Sequence, residues 1–101
     1  MPFLHDCAEA GLLKSSEFLL RNGAEIDMPG IGGRTPLWAA SARGHDGVVE
    51  MLVGENADVA IRDDGGEMPL HVALRHGHWR CYFILIRETP LCVYELAGHT
   101  T

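Results

Sequence analysis

A self-match at one fixed spacing constrains the fold of this chain more than any other feature of its sequence. Pro36 and Gly44 have counterparts of the same type 33 positions later, at Pro69 and Gly77. The other forward matches are Gly33 with Gly66, Leu37 with Leu70, Ala40 with Ala73 and His45 with His78. The backward matches include Leu37 with Leu4, Gly44 with Gly11, Leu52 with Leu19 and Ala57 with Ala24. Self-similarity at a fixed period of this length indicates an array of similar supersecondary units.

Within the central unit, the local signals predict two helices joined by a tight turn. Thr35 can cap the free N–H groups of a helix start, and Pro36 suits the first helical position. Gly44 is placed to end that helix. A second helix is predicted by apolar residues at helical spacing, namely Val48, Val49, Leu52 and Val53. Asn56, which tolerates a positive φ angle, is expected to close the unit in the left-handed region.

Three stretches of these units resemble the ankyrin repeat, whose signature is T-P-L-H-x-A. They are TPLWAA at residues 35–40, PLHVA at 69–73 and NGAEID at 22–27. The resemblance covers roughly residues 4–86. It implies an all-α fold, an α-solenoid of about three ankyrin-like helix-turn-helix repeats. It further implies two short β-hairpin fingers and a C-terminal extension.

The resemblance divides the chain, a single domain of residues 1–101, into three repeats. Repeat 1 covers about 3–27, repeat 2 about 30–60 and repeat 3 about 63–87, and residues 88–101 form an extension or tail. The second helix of repeat 1 carries a polar set expected to face solvent as an N-terminal cap, with Met1 as the start of the array: Lys14, Ser15, Ser16 and Glu17. Whether the extension folds back as a lid over Phe83 and Ile84, or frays, stays open.

Two positions depart from the family signature. Trp38 stands where His is usual, and the usual His ties neighbouring turns by hydrogen bonds, so that tie is in doubt. Trp38 is interpreted either as a core filler or as a surface anchor for a partner. Met68 stands where Thr would cap the helix, a loss of about 1 kcal/mol. Neither full repeat therefore carries the complete T-P-L-H unit.

Charge and hydropathy exclude two classes of partner. The formal net charge is −6, and the eight Lys and Arg residues form no basic run, so neither nucleic acid nor an anionic membrane surface is expected to bind. No window approaches ~18 uninterrupted apolar residues, so no membrane-spanning segment is expected. The N-terminal residues lack the basic and apolar regions of a signal peptide.

The three cysteines show no metal-binding spacing. Cys7 aligns with Ala40 and Cys81 aligns with Val48, which predicts two buried, inert thiols. Cys92 lies outside the repeats. An intracellular location, cytoplasmic or nuclear, follows as the expectation for a chain of this kind.

Catalytic, cofactor and metal sites are not predicted. His71, His76 and His78 are close in sequence but have no additional ligands at zinc spacing. The glycines of residues 30–35 lack the spacing of a phosphate-binding loop, and residues 63–67 lack that of an EF-hand. No nucleophile motif is present, so the chain is expected to be neither an enzyme nor a cofactor protein.

The function implied by the resemblance is protein–protein binding, in a scaffold or adaptor role, through the concave face of finger tips and first helices. The arginines of this face would offer donors to acidic groups of the partner. The residues assigned to it are Glu9, Ile31, Gly32, Arg34, Trp38, Ala42, Arg43, Asp64, Gly65, Glu67, Arg75 and His76.

The alternative is a structural array without a recognition role. It would be a monomer or would self-associate weakly through an exposed apolar set on the last helix, namely Trp79, Phe83 and Ile84.

Overall fold

The computed structural model describes residues 4–88, and in this part of the chain it contains six α-helices arranged in three pairs. The first pair is α1 (Leu4–Ala10) and α2 (Leu13–Arg21), the second is α3 (Pro36–Arg43) and α4 (Asp46–Gly54), and the third is α5 (Pro69–Arg75) and α6 (Trp79–Glu88). The prediction of an all-α fold with three helix-turn-helix units is confirmed. The proposed lid and Cys92 lie outside the described residues.

The central unit begins and ends its first helix as its sequence predicts. The Thr35 Oγ1 atom accepts a hydrogen bond from the Trp38 backbone N–H at 3.2 Å, so Thr35 caps α3. Gly44 ends α3 with a φ angle of 78°, in the left-handed region. Asn56 has a φ angle of 70° and is the one non-glycine residue with positive φ in residues 4–88. The capping signals of this unit therefore have the predicted conformations.

The helix pairs stack so that equivalent helices contact each other. In one row α1 packs on α3 and α3 on α5, while in the other row α2 packs on α4 and α4 on α6. The core between the rows is built from small and branched apolar side chains. Its fully buried members include Leu37, Val48, Val49, Leu52 and Leu85. A continuous core made by stacking is what a repeat too small to fold alone requires.

Two histidines connect successive repeats. The Nε2–H of His45 donates to the Glu9 carbonyl oxygen at 3.0 Å, and the Nε2–H of His78 donates to the Ala42 carbonyl at 3.2 Å. A carbonyl oxygen can only accept, so Nε2 carries the proton in both rings. The two histidine hydrogen bonds between repeats therefore come from the turn between the two helices of each later repeat.

The same histidines pack against glycines of the preceding repeat. A Cβ atom on Gly11 would lie 2.7 Å from the His45 ring, and one on Gly44 would lie 2.6 Å from the His78 ring. Both glycines also have positive φ angles, 77° and 78°. Each site therefore needs glycine for its backbone and for the imidazole that covers it.

The expected β-hairpin fingers are not confirmed, since residues 4–88 contain no strand. The first finger is a 3-10 turn at Ile31–Gly33, closed by a hydrogen bond from the Gly30 N–H to the Arg34 carbonyl at 2.8 Å. The second is a turn closed from the Asp63 N–H to the Glu67 carbonyl at 2.9 Å. One such bond closes a turn but does not extend into a ladder.

The polar cap of the first repeat is smaller than predicted. Ser16 is fully buried, and its hydroxyl donates to the Leu12 carbonyl at 2.8 Å. Its position is equivalent to Val49, which is also fully buried, so a small side chain that satisfies its own hydroxyl fits the core there. Lys14 and Ser15 are exposed.

The apolar set on the last helix is also smaller than predicted. Ile84 is 8% exposed and belongs to the core, so the prediction of an exposed Ile84 is wrong. Trp79 and Phe83 are 57% and 62% exposed. Phe83 aligns with the solvent-facing Glu50, which explains why it stays outside the core.

Candidate functional site

The first two repeats form a groove on the surface shared by the fingers and the first-row helices, which we call the finger-side face. The groove has a volume of about 290 Å³. Residues of α1, α3 and the first finger line it: His5, Asp6, Glu9, Ile31, Arg34, Trp38, Ala39 and Ala42. Five of them were assigned to the binding surface from the sequence, so the fold brings this part of the predicted site together.

Trp38 forms the inner wall of the groove. It is 5% exposed, which supports the interpretation of this residue as a core filler. The Arg34 guanidinium carbon lies 4.4 Å from the centroid of the indole ring, a cation–π arrangement, and the Arg34 Nε atom lies 3.9 Å from Asp63 Oδ2. The indole Nε1 is buried and has no hydrogen-bond partner among residues 4–88. The Trp38 ring therefore forms the buried side of the groove, and the Arg34 guanidinium lies over this ring.

Ile31 is the apolar residue that the groove presents to solvent. It is 95% exposed, the highest value among the large hydrophobic residues of the described chain. The 3-10 turn that carries it contains Gly32 and Gly33, with φ angles of 78° and 73°. This backbone turns sharply at two positions that disfavour a side chain, so Ile31 stands at the outside of the turn.

Two arginines of the predicted surface are already paired with carboxylates. Arg43 donates to Glu9 Oε2 from Nε at 3.3 Å and from Nη2 at 2.9 Å. Arg75 donates to Glu67 from Nε at 2.9 Å and from Nη2 at 2.8 Å. Hydrogen bonding to Glu67 and its charge raise the pKa of Arg75. A partner carboxylate would therefore have to displace an internal one, which lowers the net gain from each contact.

The Glu9–Arg43 pair borders a second, more open depression beside the groove. Its other lining residues are Asp6, Ala10 and His45, and its volume is about 500 Å³. Asp6 and Glu9 line both hollows. The two hollows thus share an acidic edge on α1.

The remaining predicted residues lie outside the groove. The Asp64 N–H donates to the Gly32 carbonyl at 2.8 Å and so joins the two fingers. Gly65 donates its N–H to Asp63 Oδ1 at 3.0 Å within the second finger. His76 stacks on His78 with 6.0 Å between the ring centroids. Asp64, Gly65, His76 and the Glu67–Arg75 pair belong to the third repeat, whereas Gly32 belongs to the first finger.

Sequence reasoning missed three lining residues of the groove: His5, Asp6 and Ala39. The repeat register contained a signal for His5, because His5 occupies the same repeat position as Trp38. Asp6 and Ala39 likewise occupy one repeat position, in the first and second repeats. Transferring the assignment of Trp38 to the first repeat would have found His5, whereas neither Asp6 nor Ala39 belongs to the assigned surface.

The thiols of the repeats are held in an unreactive form. Cys7 and Cys81 are free and 2% and 1% exposed, as the sequence predicts. Burial raises the pKa of Cys81 to about 11, with a further contribution from Asp46. Burial and the neighbouring Asp6 raise the pKa of Cys7. A nucleophilic thiolate is therefore disfavoured at both positions.

Among the described residues, neither a group of metal ligands nor a membrane-spanning helix is found. In residues 4–88, no three His, Cys, Asp or Glu side chains are grouped so that they could hold a metal ion. None of the helices in this range is long and apolar enough to cross a membrane.

Comparison with known proteins identifies the repeats. A family model described as "Ankyrin repeats (3 copies)" matches residues 4–93. The human ankyrin repeat domain-containing protein SOWAHD is 39% identical over 84 residues, which cover 76% of this chain and 27% of that protein. The rice probable E3 ubiquitin-protein ligase XBOS32 is 37% identical over 87 residues, covering 84% of this chain and 17% of that protein.

A further relative matches a shorter segment. The bovine protein fem-1 homolog A is 48% identical over 52 residues, which cover 52% of this chain and 8% of that protein. The chain thus spans 27% or less of the length of these three relatives.

Proposed function

Because the chain belongs to the ankyrin-repeat family, we propose that it binds a partner protein through its finger-side face. Ankyrin repeats are generally protein–protein interaction modules. The site assigned from the sequence is the proposed contact surface, and the groove between α1, α3 and the first finger is its centre. A role as scaffold or adaptor is part of this proposal.

The observation that carries the proposal is Ile31. A branched apolar side chain that is 95% exposed at the rim of a groove contributes nothing to the core. Burying such a side chain against a partner would gain about 1.5–3 kcal/mol. Trp38 is buried and Arg34 lies over its ring, so the groove beside Ile31 is already formed before a partner binds. Preorganisation of this kind lowers the free-energy cost of binding.

The experiment that tests the proposal compares two substitutions of exposed apolar residues. Wild-type, Ile31→Asp and Phe83→Asp proteins are used in parallel for affinity capture from a native lysate. Phe83 is the matched control because it is also exposed, but lies on the second-row helix α6. The expected result is that partners captured by the wild type are lost with Ile31→Asp and kept with Phe83→Asp.

Two outcomes would overturn the proposal. Retention of every partner by Ile31→Asp would remove the groove from the binding surface. Loss of partners with Phe83→Asp alone would move that surface to α6. Circular dichroism and the unfolding midpoint are measured for each variant, as the control that both substitutions leave the fold intact.

A second candidate function is self-association through α6, and two observations favour it. Trp79 and Phe83 are both more than half exposed, and Tyr82 makes edge-to-face ring contacts with each, with centroid distances of 6.3 and 6.0 Å. Exposed aromatic clusters are common at protein interfaces. Light scattering over a range of concentrations tests this candidate, since a constant monomer mass would exclude it.

We also propose a non-enzymatic role and a cytoplasmic or nuclear location. The ankyrin-repeat family consists typically of non-enzymatic interaction domains. The rice relative is named a probable ligase, but the chain matches only 17% of it. The free, buried thiols of Cys7 and Cys81 support a reducing compartment.

A further inference from the structure

Asn22 and Gly23 form a chemically labile pair at the exposed end of α2. Asparagine is a thermolabile residue, because the next backbone nitrogen can attack its side-chain amide carbon. A following glycine has no side chain to hinder that approach. The chain contains two asparagines, and the other, Asn56, is followed by Ala57. Beyond its chain neighbours, none of residues 4–88 lies within 4 Å of a Cβ built on Gly23.

The folded backbone holds the two reacting groups apart. The Asn22 Nδ2 atom donates to the Phe18 carbonyl at 2.7 Å, and the Gly23 N–H donates to the Leu20 carbonyl at 3.2 Å. The ψ angle of Asn22 is 19°. A five-membered ring needs Cβ and the Gly23 nitrogen on the same side of the Cα–C bond, and this ψ value does not place them there. The reaction therefore requires the last turn of α2 to open.

The second repeat shows that a carboxylate is tolerated at this position. Glu55 is the equivalent of Asn22 and ends α4 as Asn22 ends α2. The φ and ψ angles are −94° and 16° at Glu55, and −99° and 19° at Asn22. An aspartate at position 22 would therefore keep this backbone. An added backbone carbon would not, because the Ala24 N–H donates to the Leu19 carbonyl at 3.0 Å across the same turn.

From this chemistry and its placement, we propose that Asn22 is a site of spontaneous deamidation, gated by opening of the last turn of α2. In the open turn, base removes the Gly23 amide proton and the nitrogen forms a bond to Asn22 Cγ. The Cγ–Nδ2 bond breaks, Nδ2 leaves as ammonia, and a cyclic succinimide remains. Water then opens the ring at Cγ to give aspartate, or at the backbone carbonyl carbon to give isoaspartate. One water is consumed and one ammonia is released, without any change of oxidation state.

The two products differ in their effect on the first repeat. Aspartate loses the donor to the Phe18 carbonyl and adds a negative charge at a helix C-terminus, which is mildly unfavourable. Isoaspartate carries the main chain through Cβ and Cγ, so it lengthens the turn that the Ala24–Leu19 bond closes. Because α2 packs on α4, this longer turn weakens the contact of the first repeat with the second.

The experiment follows both asparagines of the wild-type protein in a mildly alkaline buffer, folded and in urea. Peptide mass spectrometry locates the mass gain of an NH-for-O exchange, and isoaspartyl methyltransferase labels the isoaspartate product. We expect Asn22 to convert at least about tenfold faster than Asn56 in the folded protein, and at least about tenfold more slowly there than in urea. Asn22→Gln is the matched control. It keeps an amide but would have to close a six-membered ring, so it should stay unmodified.

Two further substitutions locate the opening that admits the reaction. Leu20 and Ile86 are equivalent positions of the first and third repeats, and both are partly buried against the core. We expect Leu20→Ala to speed conversion of Asn22 at least about threefold, because it loosens α2, and Ile86→Ala to speed it less. Equal acceleration by the two would make unfolding of the whole chain the gate, and would overturn the proposed opening of α2.

The site itself is overturned if Asn22 keeps its amide while the chain in urea converts, or if Asn56 converts as fast. A folded rate equal to the rate in urea would overturn the restraint by α2. The products are then compared: Asn22→Asp should lower the urea midpoint by less than about 0.5 M, and the purified isoaspartate form should lower it more. An isoaspartate form as stable as the wild type would overturn the assigned effect on the first repeat.

Discussion

The imidazole of His71 accepts a hydrogen bond at Nδ1 from the backbone N–H of Met68, with 3.2 Å between the nitrogens. His71 is the third residue of α5, and Met68 is the residue before that helix. In the second repeat the cap works in the other direction, from the Trp38 N–H to Thr35 Oγ1. A complete capping box would make both bonds in one repeat. Thr35 of the second repeat and His71 of the third repeat thus each supply one of the two hydrogen bonds of a capping box.

Removing the His71 side chain should destabilise the protein, and a glutamine there should restore it. His71→Ala deletes the acceptor for the Met68 N–H, and we expect the free energy of unfolding to fall by about 0.5–1.5 kcal/mol. Gln is a natural residue of a capping box at this helix position, so His71→Gln should retain most of the stability. Urea unfolding of the three proteins measures both effects. No loss with His71→Ala would show that the Nδ1 bond does not stabilise α5, and equal losses for Ala and Gln would show that Gln does not replace it.

Restoring the family's threonine at Met68 should not stabilise the third repeat. The hydroxyl of Met68→Thr would add a cap of about 1 kcal/mol. However, Met68 is fully buried, and shortening a buried Met costs about 2–5 kcal/mol when it becomes Ala. Thr keeps one methyl group, so we expect a net loss of about 1–2 kcal/mol. Met68→Leu, which conserves volume, is the control; a rise in stability with Thr would mean that the cap outweighs the packing.

The turn glycines allow a comparison between two nearly identical sites. Gly44→Ala and Gly77→Ala both place an L-residue at a φ angle near 75°, which costs about 1–2 kcal/mol. At Gly44 the new methyl group would also meet the His78 ring, whereas none of residues 4–88 outside its chain neighbours lies within 4 Å of a Cβ on Gly77. We therefore expect Gly44→Ala to be the more destabilising by about 1–3 kcal/mol. In a His78→Ala background, the two substitutions should lower the free energy of unfolding by the same amount. A difference that persists there would come from the backbone and not from the His78 ring.

The features predicted correctly from the sequence are those set by local chemistry within one repeat. The cap at Thr35, the left-handed Gly44 and the left-handed Asn56 each follow from the residue itself and its neighbours. Burial of Cys7 and Cys81 followed from alignment with Ala40 and Val48, because equivalent positions in a stack have equivalent surroundings. The repeat register therefore transfers burial from one repeat to another.

What the sequence could not supply is the pairing between polar groups of different repeats. Arg43 was expected to be available to a partner, but its guanidinium is bound by Glu9, 34 residues away. Such a pair depends on side-chain reach and not on spacing alone. Burial of Ser16 was missed because serine is usually exposed, although its equivalent Val49 indicated the core. The hydrogen bond from His78 to the Ala42 carbonyl also could not be predicted from spacing, because it depends on how the His78 ring packs against Gly44.

Stability should depend on the Cys81 thiol at alkaline pH. Burial raises the pKa of this group from 9.0 to about 11, so folding favours its protonated form. A raised folded-state pKa contributes stability that is complete below pH 9 and is lost as the pH rises to about 11. We expect the urea midpoint of the wild type to fall more steeply across this window than that of Cys81→Ala. Parallel pH profiles for the two proteins would contradict the prediction.

Substitution of Trp38 should distinguish a core role from a role in binding. Trp38→Phe keeps an aromatic ring beneath Arg34 and removes a buried N–H that has no acceptor in residues 4–88. Leaving such a donor unpaired costs about 1–3 kcal/mol, which offsets the packing lost with the smaller ring. We therefore expect the free energy of unfolding to change by less than about 1 kcal/mol. Because Nε1 is inaccessible, affinity for any partner captured by the wild type should also be unchanged, whereas Ile31→Asp should abolish it. Loss of affinity with Trp38→Phe at unchanged stability would instead make the indole itself a contact residue.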